Sequence, residues 1–200
     1  MGRLRSLQYL KLSSNSFSGK IPTNISHCIH LRVLDLRINA ITGSIPDNLR
    51  SLMSLNHLEL FRNNLTGTIP NWIGNFSSLK GLLLARNNFH GSIPSELGRL
   101  TSLEVFSLAA NHLVAVNQLH GELPRNLGIN LPNLENFYCG GNKFTGTVPA
   151  SLLNSSRIQI LDFPSNGFTG TLPAENLGTL RSLVSLSFAE NSLGNRKTDD

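Results

Sequence analysis

The sequence predicts an α/β fold: a right-handed solenoid with short parallel strands on a concave face and 3₁₀ or short helical turns on a convex face. The first observation is a motif, Asn-x-(Leu/Phe/Ile)-x-Gly, that recurs every 24 residues in the first half of the chain, at Asn15, Asn39, Asn63 and Asn87. The second is that leucine, glycine and proline positions recur in the same register around each asparagine. A fixed period of this length is typical of repeats that bury their apolar faces only against their neighbours.

The repeat around Asn63 shows how each element follows from the pattern. Leu58 and Leu60 alternate with outward positions, which predicts a short strand with one buried face. Strands of successive repeats would stack in parallel, about 4.8 Å apart. Asn63 ends the strand, where its amide can satisfy backbone groups at the turn. Gly67 suits a position that needs positive φ, and Pro70, which lacks an N–H donor, fits the return side of the coil.

The remaining apolar residues of that repeat recur every three positions, which predicts a 3₁₀ or single helical turn on the convex side. These residues are Ile73, Phe76 and Leu79. Alignment on the asparagine gives about eight repeats over residues 1–200, which we interpret as a single domain. In a stacked coil these asparagines form a structural ladder, here called the asparagine ladder. Its predicted members are Asn15, Asn39, Asn63, Asn87, Asn111, Asn142, Asn166 and Asn191.

The period breaks after the fifth predicted member of the ladder. From Asn111 to Asn142 the step is 31 residues instead of 24. Removing residues 112–117 restores an ordinary repeat, so we interpret this segment as an irregular insertion. A tolerated bulge or an artefact of gene prediction is the favoured explanation, and a functional surface loop is the alternative.

With these motifs the chain resembles the plant-type leucine-rich repeat proteins, whose unit is LxxLxLxxNxLxGxIPxxLxxLxx. The Gly-x-Ile-Pro segments that begin at Gly43, Gly67 and Gly91 carry this resemblance. Residues 121–124 and 140–146 are further similar to the ectodomains of plant immune receptor kinases, in the subfamily of flagellin and elongation-factor peptide receptors. The resemblance implies an extracellular recognition module that lies upstream of a membrane span and a cytoplasmic Ser/Thr kinase.

Both ends of the chain lack the polar caps that a solenoid needs, and Met1 aligns with an interior leucine position. We therefore expect a longer parent protein. We predict neither a signal peptide nor a membrane span in this chain, because no apolar run approaches the roughly 20 residues needed to cross a bilayer. We expect no direct membrane contact from this segment.

Composition narrows the function further. The net charge is +5, but the basic residues are scattered and aromatic residues are few. Nucleic-acid binding calls for a clustered basic stripe, so we predict no nucleic-acid partner. Cys28 and Cys139 occupy slots that hold leucine or phenylalanine elsewhere, which predicts two buried apolar side chains and no disulfide. Asn-x-Ser/Thr sequons on turns or the convex side predict glycosylation of a secreted parent. The predicted glycosylation sites are Asn24, Asn64, Asn75 and Asn154.

No catalytic constellation is visible in the sequence, and we predict no enzymatic activity in this chain. There is no HExxH, no GxSxG, no phosphate-binding glycine loop and no kinase motif. His27, Cys28 and His30 are the closest approach to a metal motif, but Cys28 should point into the core while the histidines face outward. We therefore predict no metal and no cofactor.

The predicted binding surface is the concave face. Arginine can pair bidentately with carboxylates of an extended peptide, and arginine with aromatic residues is typical of binding patches. The alternative is that Asp35–Arg37 and Glu59–Arg62 merely satisfy each other on a solvated sheet. The predicted ligand-binding residues are Asp35, Arg37, Glu59, Phe61, Arg62, Arg86 and Tyr138.

The resulting hypothesis is that the chain is the ligand-recognition segment of a receptor in plant defence signalling. Its partners would be a peptide or protein ligand and a co-receptor kinase, at the extracellular face of the plasma membrane in the parent protein. One alternative is a secreted leucine-rich repeat inhibitor of cell-wall-degrading enzymes. The other is a truncated fragment without function.

Overall fold

The apolar positions of each repeat wind the chain into a stack of turns with two parallel sheets. A computed structural model describes residues 4–109, 117–172 and 177–194, and of residue 154 the backbone alone. Each sheet has eight strands, and along each of them every strand pairs with the equivalent strand of the next turn. This arrangement confirms the predicted α/β leucine-rich repeat solenoid.

The first sheet contains the Leu-x-Leu segments. Its middle positions are fully buried in most turns, for example at Leu58 and Leu82, because they point into the coil. Tyr9 pairs with Val33, and Val33 in turn with His57, so equivalent residues form straight rows across the sheet. The strands are β1 (Tyr9–Lys11), β3 (Val33–Asp35), β5 (His57–Glu59), β7 (Gly81–Leu83), β9 (Val105–Ser107), β11 (Asn136–Tyr138), β13 (Ile160–Asp162) and β15 (Ser185–Ser187).

The second sheet was not predicted from the sequence. It contains the Asn-x-Leu-x-Gly segments, in which the apolar residue is buried and the residues beside it are exposed, as at Leu65. Gly67, with φ of 87°, turns the chain out of its strand, as the pattern predicted. The strands are β2 (Ser18–Lys20), β4 (Ala40–Gly43), β6 (Asn64–Gly67), β8 (Asn88–Gly91), β10 (Gln118–Glu122), β12 (Lys143–Gly146), β14 (Gly167–Gly170) and β16 (Ser192–Leu193).

Short helical segments follow the prolines. The five-residue 3₁₀ segments begin directly after a proline in extended conformation, such as Pro70 with φ of −68°. Adjacent segments pack closely: a Cβ at Gly74 or Gly128 would lie 2.1 Å from a carbonyl oxygen of the next turn. The segments are η1 (Thr23–His27), η2 (Asp47–Ser51), η3 (Asn71–Asn75), η4 (Ser95–Arg99), α1 (Leu127–Asn130) and η5 (Leu152–Asn154).

A continuous apolar core runs through the stack. In its second half, phenylalanines replace leucines, and the Phe106 and Phe137 rings stack with their centroids 5.0 Å apart. In the first half, Trp72 packs edge-on against Phe76 and donates a 2.9 Å hydrogen bond from Nε1 to Asp47 in the preceding turn. The core is therefore built by contacts between consecutive turns, as expected for a solenoid.

The asparagine ladder links consecutive turns through side-chain amides. Asn63 donates from Nδ2 to the carbonyls of Leu36 and Leu60, at 2.9 and 3.0 Å, and accepts the backbone N–H of Ile41 at 3.1 Å. Asn87 repeats this pattern one turn later. These bonds satisfy buried backbone groups on both sides of a turn, which explains why an amide is needed there.

The ladder continues through the irregular repeat by means of Asn117, which the sequence analysis placed in the insertion. Asn117 accepts the backbone N–H of Phe89 at 3.1 Å and donates to the carbonyl of Leu108 at 2.9 Å. This corrects the repeat boundary, because Asn117 is the asparagine that precedes a leucine and a glycine in the right phase. Asn111, the predicted ladder member, lies outside the described residues.

The next ladder member shows a local effect beside the irregular repeat. Asn142 donates to the carbonyls of Leu108 and Cys139 at 3.1 and 2.9 Å, as other members do. Its Oδ1, however, is buried without a hydrogen-bond partner in the described part of the chain. The ladder therefore continues through Asn142, which among the described residues lacks the hydrogen bond that Asn63 and Asn87 accept from a backbone N–H.

Candidate ligand-binding face

The outward side of the first sheet, here called the first-sheet face, is formed by the first and third residues of its strands and by the residues that follow them. It is the surface that the sequence analysis assigned to the concave side. Tyr9 at its start is 57% exposed. Because the middle residue of each strand points into the core, the first and third residues point outward and form regular rows of side chains on an open floor, the outer surface of the sheet.

Asp35, one of the predicted ligand-binding residues, has a buried carboxylate. Asp35 is only 2% exposed, because Arg37 covers it. Arg37 donates to Asp35 from its backbone N–H at 3.1 Å and from Nε and Nη2 at 2.9 Å. Arg37 Nε also lies 2.8 Å from a carboxylate oxygen of Glu59 on the neighbouring strand. Arg37 therefore already pairs with two carboxylates of the chain itself.

The hydrogen bonds around Asp35 keep it ionised. Burial alone would raise the pKa of Asp35, but bonds from the side chain and backbone of Arg37, and from Ser13, bring it below the ordinary value of 3.8. The hydrogen bond to Asp35 in turn raises the pKa of Arg37. This pairing matches the self-satisfied alternative for Asp35 and Arg37. The partner of Glu59, however, is Arg37 and not Arg62.

An arginine and an aromatic ring form a second element of the face. The guanidinium carbon of Arg86 lies 5.3 Å from the ring centroid of Phe61, within the range of a cation–π contact. Phe61 is therefore half-buried. Arg62 is exposed, and no hydrogen bond or ion pair involves its side chain among residues 4–109, 117–172 and 177–194.

Arg62 and Arg86 share an unusual backbone conformation, with φ of 55° and 53°. Each immediately precedes a member of the asparagine ladder, where the chain leaves the first sheet. Ile38 occupies the same position with φ of 53°, whereas Gly141 holds it later in the chain. The turn geometry thus projects these arginine side chains at the edge of the first-sheet face.

Sequence reasoning missed His57. Its Nδ1 lies 3.8 Å from Glu59 Oε1, and the ring fills the space where a Cβ at Gly81 would stand, 2.7 Å from Nδ1. Gly81 follows His57 in the same row of the sheet, and a glycine there could have indicated that the His57 ring occupies the neighbouring space. Histidine, Glu59, Arg37 and Asp35 together form one connected cluster across β3 and β5.

The second half of the face has mostly small or neutral side chains, with Asp162 as an exception. Tyr138 is half-buried on β11, and the structure does not bring it to the charged cluster, which lies three strands away on β5. Next to Tyr138 in the same row is Asp162. Burial raises the pKa of Asp162 above 3.8, and a hydrogen bond from Ser187 only partly offsets this. No arginine, lysine or histidine forms an ion pair with Asp162 in the described part of the chain.

The predicted glycosylation sites lie away from the first-sheet face. Asn24 is exposed in η1, and Asn75 is exposed at the end of η3. Asn64 is exposed on strand β6 of the second sheet, so its predicted placement on a turn or the convex side was wrong. Asn154 is the last residue of η5, where only the backbone is described. Sugars at these positions would therefore leave the first-sheet face open.

The two cysteines are buried and unbridged. Cys28 packs into the core, while His27 and His30 beside it are exposed. Burial, and secondarily the charge of Asp162, raise the pKa of the Cys139 thiol. No group of three or more His, Cys, Asp or Glu side chains within the described ranges has the geometry to hold a metal ion. No helix in those ranges is both long and apolar enough for a membrane span.

Stacked turns with two parallel sheets and an asparagine ladder define a solenoid repeat protein with one open strand surface. A family profile described as a leucine-rich repeat region matches residues 1–196. The chain belongs to the leucine-rich repeat family, and its structural neighbours place it in the plant type. No curated protein matches the sequence.

Several solved structures are similar to the chain over nearly its whole length. The plant peptide hormone receptor RGFR1, in complex with RGF2, is 31% identical over 96% of this chain and 30% of the receptor chain, with a TM-score of 0.89. The ectodomain of GASSHO1/SCHENGEN3 from Arabidopsis thaliana, in complex with CASPARIAN STRIP INTEGRITY FACTOR 2, is 38% identical over 96% of this chain and 22% of its own, with a TM-score of 0.87.

The Arabidopsis receptor kinase HAESA, in complex with the peptide hormone IDA and the co-receptor SERK1, is 33% identical. That match covers 97% of this chain and 31% of the receptor chain, with a TM-score of 0.89. The chain thus spans less than a third of the length of these three receptor chains.

Proposed function

We propose that the chain is a ligand-recognition segment of a plant receptor and binds a peptide or protein along the first-sheet face. The observation that carries this proposal is the composition of that face: an unbroken eight-strand floor with Arg86 over Phe61 and an exposed Arg62 at its edge. Aromatic and arginine side chains are the usual anchors of protein interfaces. The neighbours that share this floor include receptors in complex with peptide hormones.

The proposal extends to the setting of the protein. The parent would be a receptor kinase in defence signalling, with this segment outside the cell and a co-receptor kinase as a second partner. Supporting it are the HAESA complex, which contains the co-receptor SERK1, and the sequons, which lie off the first-sheet face. The kinase activity would belong to parts of the parent outside this chain, which itself would carry no enzymatic activity.

Within the predicted patch, the residues have different roles. Arg37 forms ion pairs with both Asp35 and Glu59. These three residues would therefore stabilise the first-sheet face and contribute little to ligand affinity. Arg62, Arg86 and Phe61 would supply the contacts, with Tyr138 as an amphipathic contact further along. A carboxylate of a ligand can accept from an arginine in a bidentate arrangement, which provides orientation as well as affinity.

The test is to block the face at its centre. Peptides are selected from a random display library against the chain, and their affinity is measured by calorimetry. Ser107 lies on β9 between the two halves, and Ser107→Trp would place a large side chain on the floor. We expect this variant to lose binding by more than tenfold. Thr145→Trp, at an exposed position of the second sheet, is the matched control and should bind normally. Equal binding by both variants would contradict the proposal.

A further inference from the structure

The 3₁₀ segment η3 has an aromatic side chain at a position where the other described turns are polar. Trp72 is the second residue after Pro70 and directly precedes the buried Ile73. The equivalent residues, in the other turns where this position is described, are Asn24, Asn48, Glu96, Asn126 and Ser151. The repeat therefore does not need an aromatic residue at this position, and Trp72 is only half-buried.

Two contacts fix the orientation of the Trp72 indole. Its Nε1 donates the 2.9 Å hydrogen bond to Asp47 in the preceding turn. Its ring meets the buried Phe76 ring edge-on, with the centroids 5.7 Å apart and the planes at 66°. Because the indole is already ordered, a group that packs against it loses only its own conformational freedom.

The indole borders an open depression between the second and third turns. The lining of this depression includes Trp72, Ser44, Thr68, Asn71 and Asp47. These side chains offer an aromatic surface together with hydroxyl, amide and carboxylate groups. A saccharide has apolar C–H faces and many hydroxyl groups, so it matches both parts of the lining. The depression is therefore chemically suited to a sugar.

A glycosylation sequon follows Trp72 in the same segment. Asn75, the first residue of Asn75-Phe76-Ser77, is exposed at the end of η3, three residues after Trp72. Side chains three residues apart in a 3₁₀ helix lie one above the other, separated by about 6 Å along its axis. A sugar attached to Asn75 therefore begins one helical turn away from the indole.

Asn75 differs in this respect from the other predicted glycosylation sites. At Asn24 and Asn154, the residue three positions earlier is not aromatic. Asn64 follows Phe61 by three residues, but Phe61 lies on the first-sheet face whereas Asn64 lies on the second sheet. Of the four predicted sites, Asn75 is therefore the one with an aromatic side chain in its own helical segment.

We propose, resting on the extracellular setting proposed above, that Asn75 carries an N-linked glycan whose first sugars pack against Trp72 and enter the depression beside it. The donor would be an oligosaccharide bound to a lipid diphosphate in the secretory pathway. Transfer breaks the bond between the anomeric carbon of the first sugar and the diphosphate, and forms a bond from that carbon to Asn75 Nδ2. The lipid diphosphate leaves, and the amide releases one proton.

This packing predicts that the glycan at Asn75 stabilises the fold. The sugar rings would cover indole surface that otherwise contacts water, and their hydroxyls would donate to the carboxylate of Asp47. Because the unfolded chain does not hold Trp72 and Asn75 one helical turn apart, this gain belongs to the folded state. A glycan at Asn24, without an aromatic residue three positions earlier, should give no such gain.

The experiment expresses the full chain in secreting insect cells and in bacteria, where it receives no N-glycan. Ser77→Ala removes the sequon and leaves Asn75 in place. In the secreted protein, Ser77→Ala should lower the Tm by about 3 °C more than it does in the bacterial protein. In a Trp72→Asn background, this extra loss should disappear. Ser26→Ala, which removes the sequon at Asn24, is the matched control and should cause no extra loss.

Two further measurements do not depend on how well Trp72→Asn folds. Mass spectrometry of the secreted wild type should find Asn75 glycosylated. In its NMR spectrum, the ring current of Trp72 should shift the acetyl methyl signal of the N-acetylglucosamine on Asn75 upfield. The reference is the same glycopeptide after proteolysis of the protein.

The outcomes separate this inference from the proposed ligand binding. An unmodified Asn75, an acetyl signal that proteolysis does not change, or an equal loss of Tm from Ser26→Ala would each overturn the inference. An undiminished loss in the Trp72→Asn background would overturn it as well. Such failures would leave the ligand-binding proposal in place, because none of these measurements involves the first-sheet face. Binders indifferent to Ser107→Trp would overturn that proposal alone.

Discussion

The second and seventh turns contain nearly the same strand, Val33-Leu34-Asp35 and Ile160-Leu161-Asp162, yet the two aspartates behave in opposite ways. The pKa of Asp35 is lowered and that of Asp162 is raised. Both carboxylates are the third residue of a first-sheet strand and are partly removed from water. The difference lies two residues further along the chain, where one turn has Arg37 and the other Pro164.

This comparison separates what the repeat determines from what it leaves open. The repeat fixes the position and direction of each side chain through the strand, the ladder and the core. The charge state of an aspartate depends on its neighbours in the row and on the next outward residue, which vary between turns. Scaffold and recognition can therefore change independently along one stack.

The largest expected effect concerns the scaffold that the two halves share. Gly74→Ala and Gly128→Ala would each place a Cβ 2.1 Å from a carbonyl oxygen of the following turn, Glu96 or Ser151. Since backbone cannot move aside easily, each should lower the free energy of unfolding by about 3 kcal/mol. Denaturant unfolding of the purified variants measures this. The comparison predicts similar losses in both halves.

Gly19→Ala is the control for these glycine variants. Its Cβ would meet nothing within 4 Å, so only the positive φ of 79° opposes alanine, at a cost of about 1 kcal/mol. If Gly19→Ala destabilised the chain as much as Gly128→Ala, close packing of the turns would not be the cause.

The next effect concerns the paired aspartate. Asp35→Asn removes the charge that Arg37 holds with two side-chain hydrogen bonds, and should cost about 2 kcal/mol at pH 7. The folded pKa of Asp35 is lowered, so its stabilisation is present above the unfolded value near 3.8 and is lost as pH falls through the folded value. The difference between wild type and variant should therefore shrink below about pH 4. Thermal melts between pH 3 and 7 would show it, and a constant difference would contradict this explanation.

A third effect concerns the position before each ladder asparagine. Ile38 has φ of 53°, although β-branched residues strongly disfavour this region, whereas one turn of the second half has Gly141 there. Asparagine tolerates the left-handed conformation, so Ile38→Asn should stabilise the chain by about 1 kcal/mol. Ile29→Asn, at an exposed position without positive φ, is the control and should give no gain. Equal gains from both variants would point to removal of exposed apolar surface as the cause.

The smallest expected effect has the opposite sign to that of Asp35. The folded pKa of Asp162 is raised, so its contribution to stability is fully present below the unfolded value of 3.8 and is lost as pH rises through the folded value. Asp162→Asn should therefore raise the melting temperature slightly at pH 7 and leave it unchanged at pH 3. A loss of stability at pH 7 would mean that Asp162 has a stabilising cation partner.

Much of the scaffold could be predicted from the sequence, because its elements depend on local periodicity. The first-sheet strands, the turn residues after them and the helical segments after the prolines all follow from one repeat. The second sheet could not be predicted this way, because three or four residues such as Asn64–Gly67 fit a turn and a strand equally well. Whether these segments pair as strands depends on how closely the neighbouring turns approach, and the repeat period alone does not give that distance.

The contacts within the site were less predictable, since each charged side chain has several possible ion-pair partners. Arg37 has Asp35 two residues away and Glu59 on the next strand, and it contacts both. Glu59 could equally have paired with Arg62 by sequence distance. The positive φ at Arg62 directs its side chain elsewhere. This conformation recurs before the asparagine in several turns, but it becomes visible only in the structure. The ladder position of the irregular repeat could have been read from the motif, because Asn117 is followed by Leu119 and Gly121 whereas Asn111 is followed by Leu113 and Ala115.

The hydrogen bond between Trp72 and Asp47 has a practical consequence. Because Trp72 is the one tryptophan of the chain, tryptophan emission excited at long wavelength comes from a single place, beside η3 and next to Asp47 of the preceding turn. Separation of these two turns would hydrate the indole and shift its emission to longer wavelength, while changes in the other turns would leave the tryptophan emission unchanged. Trp72 fluorescence would thus report the separation of these two turns without an added label.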